Sequence, residues 1–331
     1  MRRKEVLVID NNHRTSASLT AAGIMNPITG KRLNRPFLVD RLLQAAFDTY
    51  PRVEQFLGAP IFQRRHILRI LRSEDESRQW RRRLDSGAYT KYLSSTTVTD
   101  AEFVENSFGG FEIAEGGLLD VPGFIRKTRD WLFSAKRLVE CEFEHGDLTW
   151  PENEVRWRGH RANAVIFCEG YQLARNPFLN AIALNPAKGE VLTLRADNFT
   201  DKRIIQREKW LLRTLPGEIK AGTTYSWNEL DENPSLTARA EIESCLRSFL
   251  RFDFEVIGHT AGVRPVIKED NRPIVGSLKR RIAVLNGLGS KGVLQAPFAA
   301  RYLVANLETG DPIFSDFDVC RKSLWKQAIN V

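Results

Sequence analysis

Asn286-Gly287-Leu288-Gly289-Ser290-Lys291-Gly292 contains the spacing G-x-G-x-x-G, after the apolar run Ile282–Leu285 and before a helical pattern from about Val293 to Leu307. Taken alone, it would be a dinucleotide fingerprint. That motif requires a βαβ unit with an acid roughly 20 residues further on, at the tip of a second strand. Here the helix runs into Glu308-Thr309-Gly310-Asp311-Pro312, with no apolar strand after it. The fingerprint reading fails its own context. What survives is a helix N-terminus whose backbone N–H groups, with Lys291, form a site for negative charge.

The other half of such a fingerprint stands at the opposite end of the chain. Val6-Leu7-Val8-Ile9-Asp10 reads as a buried parallel strand with an acid at its tip, placed for a ribose hydroxyl. The first strand, its glycine turn and a helix would precede that acid by roughly 30 residues, whereas nine residues precede Asp10.

Between these ends the pattern alternates. Arg35 to Leu57 carries apolar residues at helical spacing, and 60–100 is a charged, mixed surface region. Phe108–Ile113 and Glu115–Asp120 predict a glycine-rich hairpin. Asp120 is placed to cap a helix whose first turn holds Pro122 and whose face carries Phe124, Ile125, Thr128, Trp131 and Leu132. Strands are expected at 136–143, 155–157 and 164–167. An antiparallel meander follows at 189–195, 203–206, 210–213 and 223–227, then an amphipathic helix over 236–252. The fold class is α/β with an α+β insertion, a Rossmann-like nucleotide-binding domain interrupted by an antiparallel-sheet domain. The expected boundaries are 1–48, 121–175 and 256–331 for the first and 49–120 and 176–255 for the second.

Composition sets the outer limits. At 331 residues and 42% hydrophobic, the chain can bury one large or two medium cores. It has no apolar run of about 18 residues, and Val6–Ile9 is too short for a signal-peptide core, so a cytoplasmic protein without a membrane partner is expected. Cys141, Cys168, Cys245 and Cys320 are scattered and read as buried free thiols. The five histidines are equally dispersed, and no metal site is expected. The net charge of +8 is concentrated between Arg64 and Arg83 and interleaved with acids, which reads as a solvated helix face.

Five stretches carry a family resemblance. Ser18-Leu-Thr-Ala-Ala-Gly23-Ile-Met-Asn-Pro27 resembles the segment after the ribose acid in FAD-dependent D-amino-acid oxidase and glycine oxidase. Gly262-Val-Arg264-Pro265 with Asp270, Pro273 and Gly276 resembles the family's G-x-R-P stretch, and 286–294 its C-terminal flavin loop. Phe167-Cys-Glu-Gly170 is similar to the strand end that closes over FAD, and Lys188-Gly189-Glu190-Val191 to the entry into the substrate domain. Together they run in register from Val6 to about Leu307.

The resemblance implies FAD as cofactor, without the family's N-terminal Gly-rich βα unit in this sequence. It places Asp10 on the adenosine ribose, and Ser16, Ser18, Gly23 and Ile24 along the pyrophosphate and flavin edge. Phe143 and Gly170 would flank the nucleotide. Gly287, Gly289, Ser290, Lys291, Gly292, Val293 and Leu294 would sit by the flavin pyrimidine ring, where Lys291 stabilises negative charge. Arg264 would grip a substrate carboxylate as a bidentate fork, or stand as an ordinary surface ion pair. Tyr225 and Trp210 fall on sheet segments that face either the flavin and substrate or the core.

The implied activity is oxidation of the C–N bond of an amino acid or secondary amine, by hydride transfer to flavin N5. Two alternatives stay open. The Gly-Ser-Lys-Gly loop is similar to the Ser-Arg-Gly loop in the oxidoreductase domain of the bacterial tRNA wobble-uridine modification enzyme, and with the basic charge points to a carboxymethylaminomethyl group on tRNA. The third reading is a non-catalytic remnant of the fold.

Overall fold

The computed structural model of the chain describes residues 4–13, 16–99, 101–152, 154–321 and 324. The basic residues 1–3 at the N-terminus lie outside them. Chain order begins with β1 (Val8–Asp10), α1 (Ala17–Thr20), β2 (Ile24–Met25), α2 (Val39–Leu57), β3 (Phe62–Arg64), β4 (Ile67–Ile70) and α3 (Glu74–Asp85). It continues through β5 (Gly110–Ile113), β6 (Gly117–Leu119), α4 (Val121–Ser134), β7 (Leu138–Glu140), β8 (Leu148–Thr149), β9 (Val155–Trp157), β10 (His160–Ala162) and β11 (Val165–Phe167). The remainder is β12 (Ala187–Arg195), β13 (Ile204–Gln206), β14 (Trp210–Leu215), β15 (Glu218–Gly222), α5 (Leu236–Arg247), β16 (Glu255–Arg264), β17 (Ile274–Ser277), β18 (Ile282–Asn286) and α6 (Gly292–Thr309).

Local chemistry sets the helix starts. Asp120 caps α4 by accepting from the Gly123 N–H at 3.1 Å, with Pro122 in the first turn, as its sequence predicts. Ser73 caps α3 at the Glu76 N–H, and α3 places Glu74, Asp75 and Glu76 in its first turn and Arg82 and Arg83 in its last, matching the helix dipole.

A seven-stranded sheet in the order β16-β12-β15-β14-β13-β4-β5 forms the middle of the molecule. It is antiparallel except where β13 runs parallel to β4. The amphipathic α5 buries Ile242 and Leu246 against Leu192, Leu194, Ile219 and Ala221 of this sheet. Elsewhere Leu42 and Leu43 of α2 meet Leu294, Phe298 and Leu303 of α6 over Val275 and Ala283. Burying each such side chain contributes about 1.5–3 kcal/mol.

At the end that holds β1, β1 pairs in parallel with β7, and β11 pairs in parallel with β18, which in the sheet is flanked by antiparallel β17. Among the described residues, β1 and β11 each have one partner strand, and both line the same cavity. The result is a mixed α/β fold, a Rossmann-like part joined to an antiparallel sheet.

Several expectations need correction. β1 is parallel but only half-buried, and Val6 is exposed, because one neighbour cannot cover both of its edges. The expected hairpin at 108–120 does not form: β5 pairs with β4, while β6 pairs with β2 and β3. Gly116 explains the switch, since a Cβ there would lie 2.3 Å from the Arg65 carbonyl oxygen; the two backbones cross too closely for a hairpin. Residues 223–227 are not a strand; 218–222 takes that place in the meander, and only Ser226 bridges back to Lys188. The 60–100 region is not all surface, because β4 is buried along its whole length. Its Arg69 is buried too, 3.6 Å from Glu76. The four cysteines are free but not buried: Cys168 and Cys320, beside turns or strand ends, are exposed, while Cys141 and Cys245 are half-buried at the margins of cores. Among the described residues no helix is long and apolar enough to cross a membrane.

Candidate active site

A cavity of about 2910 Å³ runs from the tips of β1 and β11, past α1 and the start of α6, to the inner ends of β12, β14 and β16. It is about three times the upper volume usual for a single small-molecule pocket, so it accommodates an extended ligand with a second molecule beside it. Asp10 and Phe143 line one end, Ser16, Ser18, Gly23, Ile24 and Gly170 line the walls further along, and Gly289 through Leu294 line the middle. Arg264, Tyr225 and Trp210 line the far end. Gly287 does not reach the wall. Its φ of +73° turns the chain, and a Cβ there would lie 2.6 Å from Cγ1 of Ile267.

The middle is a helix start. α6 begins at Gly292 with no side-chain cap, leaving its first N–H groups without side-chain acceptors. Gly289 donates its N–H to the Pro265 carbonyl at 2.9 Å, tying this loop to the strand that ends at Arg264. Asn286, buried, donates from Nδ2 to the Gly170 carbonyl at 3.0 Å and accepts the Gly287 N–H at 2.7 Å. Sequence reasoning misses that residue; a buried amide at the end of an apolar strand is the signal that could find it. Among the described residues no carboxylate pairs with the Lys291 ammonium, and burial pushes it below its ordinary value.

At the first end, Asp10 is engaged from within the chain. Arg129 bonds Asp10 and reaches Glu140 at 2.7 Å, and His13 Nδ1 lies 2.9 Å from Asp10 Oδ1. Burial alone would raise the Asp10 carboxyl; the His13 contact and the charges of His13 and Arg129 override it and hold it below the usual carboxylate range. A group lowered on folding stabilises the protein above its unfolded value of about 3.9 and loses that contribution as pH falls through the folded value. Asp10→Asn is therefore expected to cost roughly 1–2 kcal/mol at neutral pH, and less as pH falls below the usual carboxylate range and through the folded value. Denaturant midpoints of both proteins across that range check it; a gap that persists at acid pH would contradict the assignment.

At the far end, Arg264 closes β16. Its Nη2 donates to Thr223 Oγ1 at 2.8 Å and its Nη1 to the Thr224 carbonyl at 3.4 Å. The Tyr225 ring lies 4.4 Å from its Cζ. Among the described residues no carboxylate contacts it. Burial pushes the guanidinium below its ordinary value, with Tyr225 acting the other way. Gln206 and Glu208 also line this end and escape a sequence reading, because their place depends on how β13 turns into β14.

A Rossmann-like end, an antiparallel sheet and a long cavity between them with an uncapped helix start define a dinucleotide-cofactor oxidoreductase. The chain belongs to the FAD dependent oxidoreductase (DAO) family, which it matches over residues 1–306. It is FAD-dependent. Its fold is similar to glycine oxidase from Geobacillus kaustophilus, with a TM-score of 0.78 at 18% identity, covering 98% of this chain and 92% of that one. Iminodiacetate oxidase from Chelativorans sp. BNC1 superimposes with a TM-score of 0.75 at 18% identity, covering 94% and 90% of the two chains. In sequence it is 25% identical over 271 residues to the tRNA 5-methylaminomethyl-2-thiouridine biosynthesis bifunctional protein MnmC of Marinobacter nauticus. That alignment covers 72% of this chain and 41% of the relative, so the chain spans about two fifths of that protein's length.

The described residues suit the flavin half of FAD on one observation. An ammonium without a counter-charge and an uncapped helix start share one wall of the cavity, a donor set that favours a ligand carrying negative charge.

Proposed function

We propose that the protein oxidises the C–N bond of an amino acid or secondary amino acid, with Arg264 holding the substrate carboxylate. One observation carries the reading: a half-buried guanidinium on the cavity wall, with no carboxylate of the described chain against it. A desolvated cation without a counter-charge is costly, and a bound carboxylate offsets that cost. Tyr225 and Trp210 wall the same space. In this assignment Gly289 to Leu294, with Lys291, hold the flavin ring. Ser16, Ser18, Gly23 and Ile24 lie along its ribityl and diphosphate side, and Asp10, Phe143 and Gly170 lie toward the adenosine. Residues 49–120 and 176–255 form the substrate domain, and the rest the FAD domain.

FAD, when bound, supplies the two-electron acceptor. The chain's part is position and field. Arg264 fixes the carboxylate end, so the C–N bond is presented in one orientation, and Lys291 with the α6 N–H groups stabilises negative charge along the facing wall. No acid–base constellation is required of a substrate that arrives as the neutral amine.

The test is an absorbance spectrum of the purified chain, with and without added FAD. Flavin bands that bleach anaerobically on adding sarcosine or glycine support the reading. A chain that stays colourless with FAD present overturns it.

A second reading is oxidation of a carboxymethylaminomethyl group on tRNA, favoured by the relationship to MnmC and the net charge of +8. Retention on tRNA that falls steeply between about 50 and 200 mM salt supports it.

A further inference from the structure

Gly189 lies where a β-carbon would occupy the Arg264 guanidinium. β12 and β16 run antiparallel, with Ala187 opposite Arg264 and Gly189 opposite Gly262. The Arg264 side chain therefore reaches back across β12. A Cβ built on Gly189 would fall 1.8 Å from Nη2, 2.2 Å from Cζ and 2.3 Å from Nη1. Gly189 has ordinary strand backbone, so its identity is not demanded by a left-handed turn; what any other residue would lose is the space.

One segment holds the guanidinium from a second side and leaves its cavity side open. Tyr225 lies over it, and Thr223 and Thr224 accept from its two Nη atoms. That segment is fastened to β12 on both sides of Gly189. Lys188 and Ser226 exchange backbone hydrogen bonds at 2.8 and 3.0 Å, and the Glu190 N–H donates to Thr224 Oγ1 at 3.1 Å. Further along, Lys188 Nζ meets Asp231 at 2.7 Å, and Glu190 accepts both the N–H and the hydroxyl of Ser235 at 2.8 Å. Lys188 and Glu190 are 2% and 3% exposed, so the β12 side of these fastenings is shielded from water, while Asp231 reaches solvent.

We propose that Gly189 is a positioning residue: it seats Arg264, and with Thr223 and Tyr225 it presets the guanidinium to receive a single carboxylate. The inference rests on the reading of Arg264 as the carboxylate site. Two of the five guanidinium N–H groups are committed to residues 223 and 224, which leaves three, enough for a bidentate contact. An arginine held in place before binding gives up less side-chain freedom when the anion arrives.

The experiment is calorimetric titration of the FAD-supplemented full chain with glycolate, a carboxylate without an amine, and with ethanolamine, an amine without a carboxylate. Gly189→Ala is expected to weaken glycolate at least tenfold, since the methyl displaces the guanidinium, and Thr223→Val about threefold. Ethanolamine binding is expected to stay as in the unmodified protein, a split that general loosening of the fold would not produce. Gly189→Ala that binds glycolate as tightly as the unmodified chain overturns the proposal. If that variant does not fold, as judged by circular dichroism and melting, Thr223→Val decides, and unchanged glycolate affinity there overturns it. Arg264→Met separates the two layers. If it also leaves glycolate binding intact, the carboxylate reading itself fails; if it alone weakens binding, only the seat is wrong.

Discussion

Arg264→Met is expected to raise KM for an amino-acid substrate such as sarcosine by about 30- to 3000-fold, the equivalent of roughly 2–5 kcal/mol for losing one side of a hydrogen-bonded charge pair. The turnover number should fall much less, because the fork is engaged in the bound ground state and in the transition state alike. Arg264→Lys should lie between the two, keeping charge but not the planar fork. The same substitution to methionine should leave thermal stability unchanged or higher. Arg264 is half-buried and has no carboxylate partner within the described chain, so removing it relieves a partly desolvated charge rather than breaking an ion pair. That combination separates a binding role from a structural one. Steady-state kinetics with sarcosine, set beside a melting curve, check it. A variant that melts well below the parent, with KM unchanged, would falsify the assignment.

How much of this was legible in the sequence depends on how locally each feature is determined. The Asp120 cap with Pro122, the start of the amphipathic α5 and the glycine loop leading into α6 follow from residues within one or two turns of each other and stand where the sequence places them, though α5 ends at Arg247 rather than running on to residue 252. The register of the five family-like stretches was legible for a different reason: most of them hold a glycine where a Cβ would collide with a neighbour. Gly262 is an example, since a Cβ there would lie 3.1 Å from the Ala17 Cα of α1.

What was not legible depends on contacts between distant segments. The stretch Gly109-Gly110 to Gly116-Gly117 has the composition of a hairpin, yet the Arg65 carbonyl passing over Gly116 sends its two arms into different sheets. Residues 223–227 have strand-forming side chains, but Tyr225 and Trp227 stack on each other in the open, 6.2 Å apart, and Lys188–Ser226 is the segment's one β-bridge among the described residues. The seat of Arg264 is of the same kind. In sequence Gly189 reads as part of an entry motif, and its relation to the arginine emerges only when β12 and β16 are set in register.

Gly23→Ala is expected to destabilise the protein by about 3 kcal/mol or more, and the reason is that two costs fall on one methyl group. Gly23 has a φ of +76°, a left-handed conformation that costs an alanine about 1–2 kcal/mol. Its Cβ would also lie 1.9 Å from the Leu119 carbonyl oxygen and 3.0 Å from the carbonyl carbon. No rotamer change relieves a collision with backbone. β2 must separate from β6, weakening the Leu119 N–H bond to the Gly23 carbonyl at 2.9 Å and opening the contact between fully buried Met25 and its neighbours. Gly58 isolates the conformational cost from the steric one. It has a φ of +62° at the C-terminus of α2, and no atom lies within 4 Å of where its Cβ would stand, so Gly58→Ala should lose only the conformational part, about 1 kcal/mol. Because Gly23 also lines the cavity, the Gly23 variant should lose FAD affinity along with stability, while Gly58→Ala keeps it. Thermal melts of the two variants, with FAD titrations followed by flavin fluorescence, test the argument. Equal losses in both would show that the β2–β6 junction yields to the added methyl, and that Gly23 is present for its backbone angle alone.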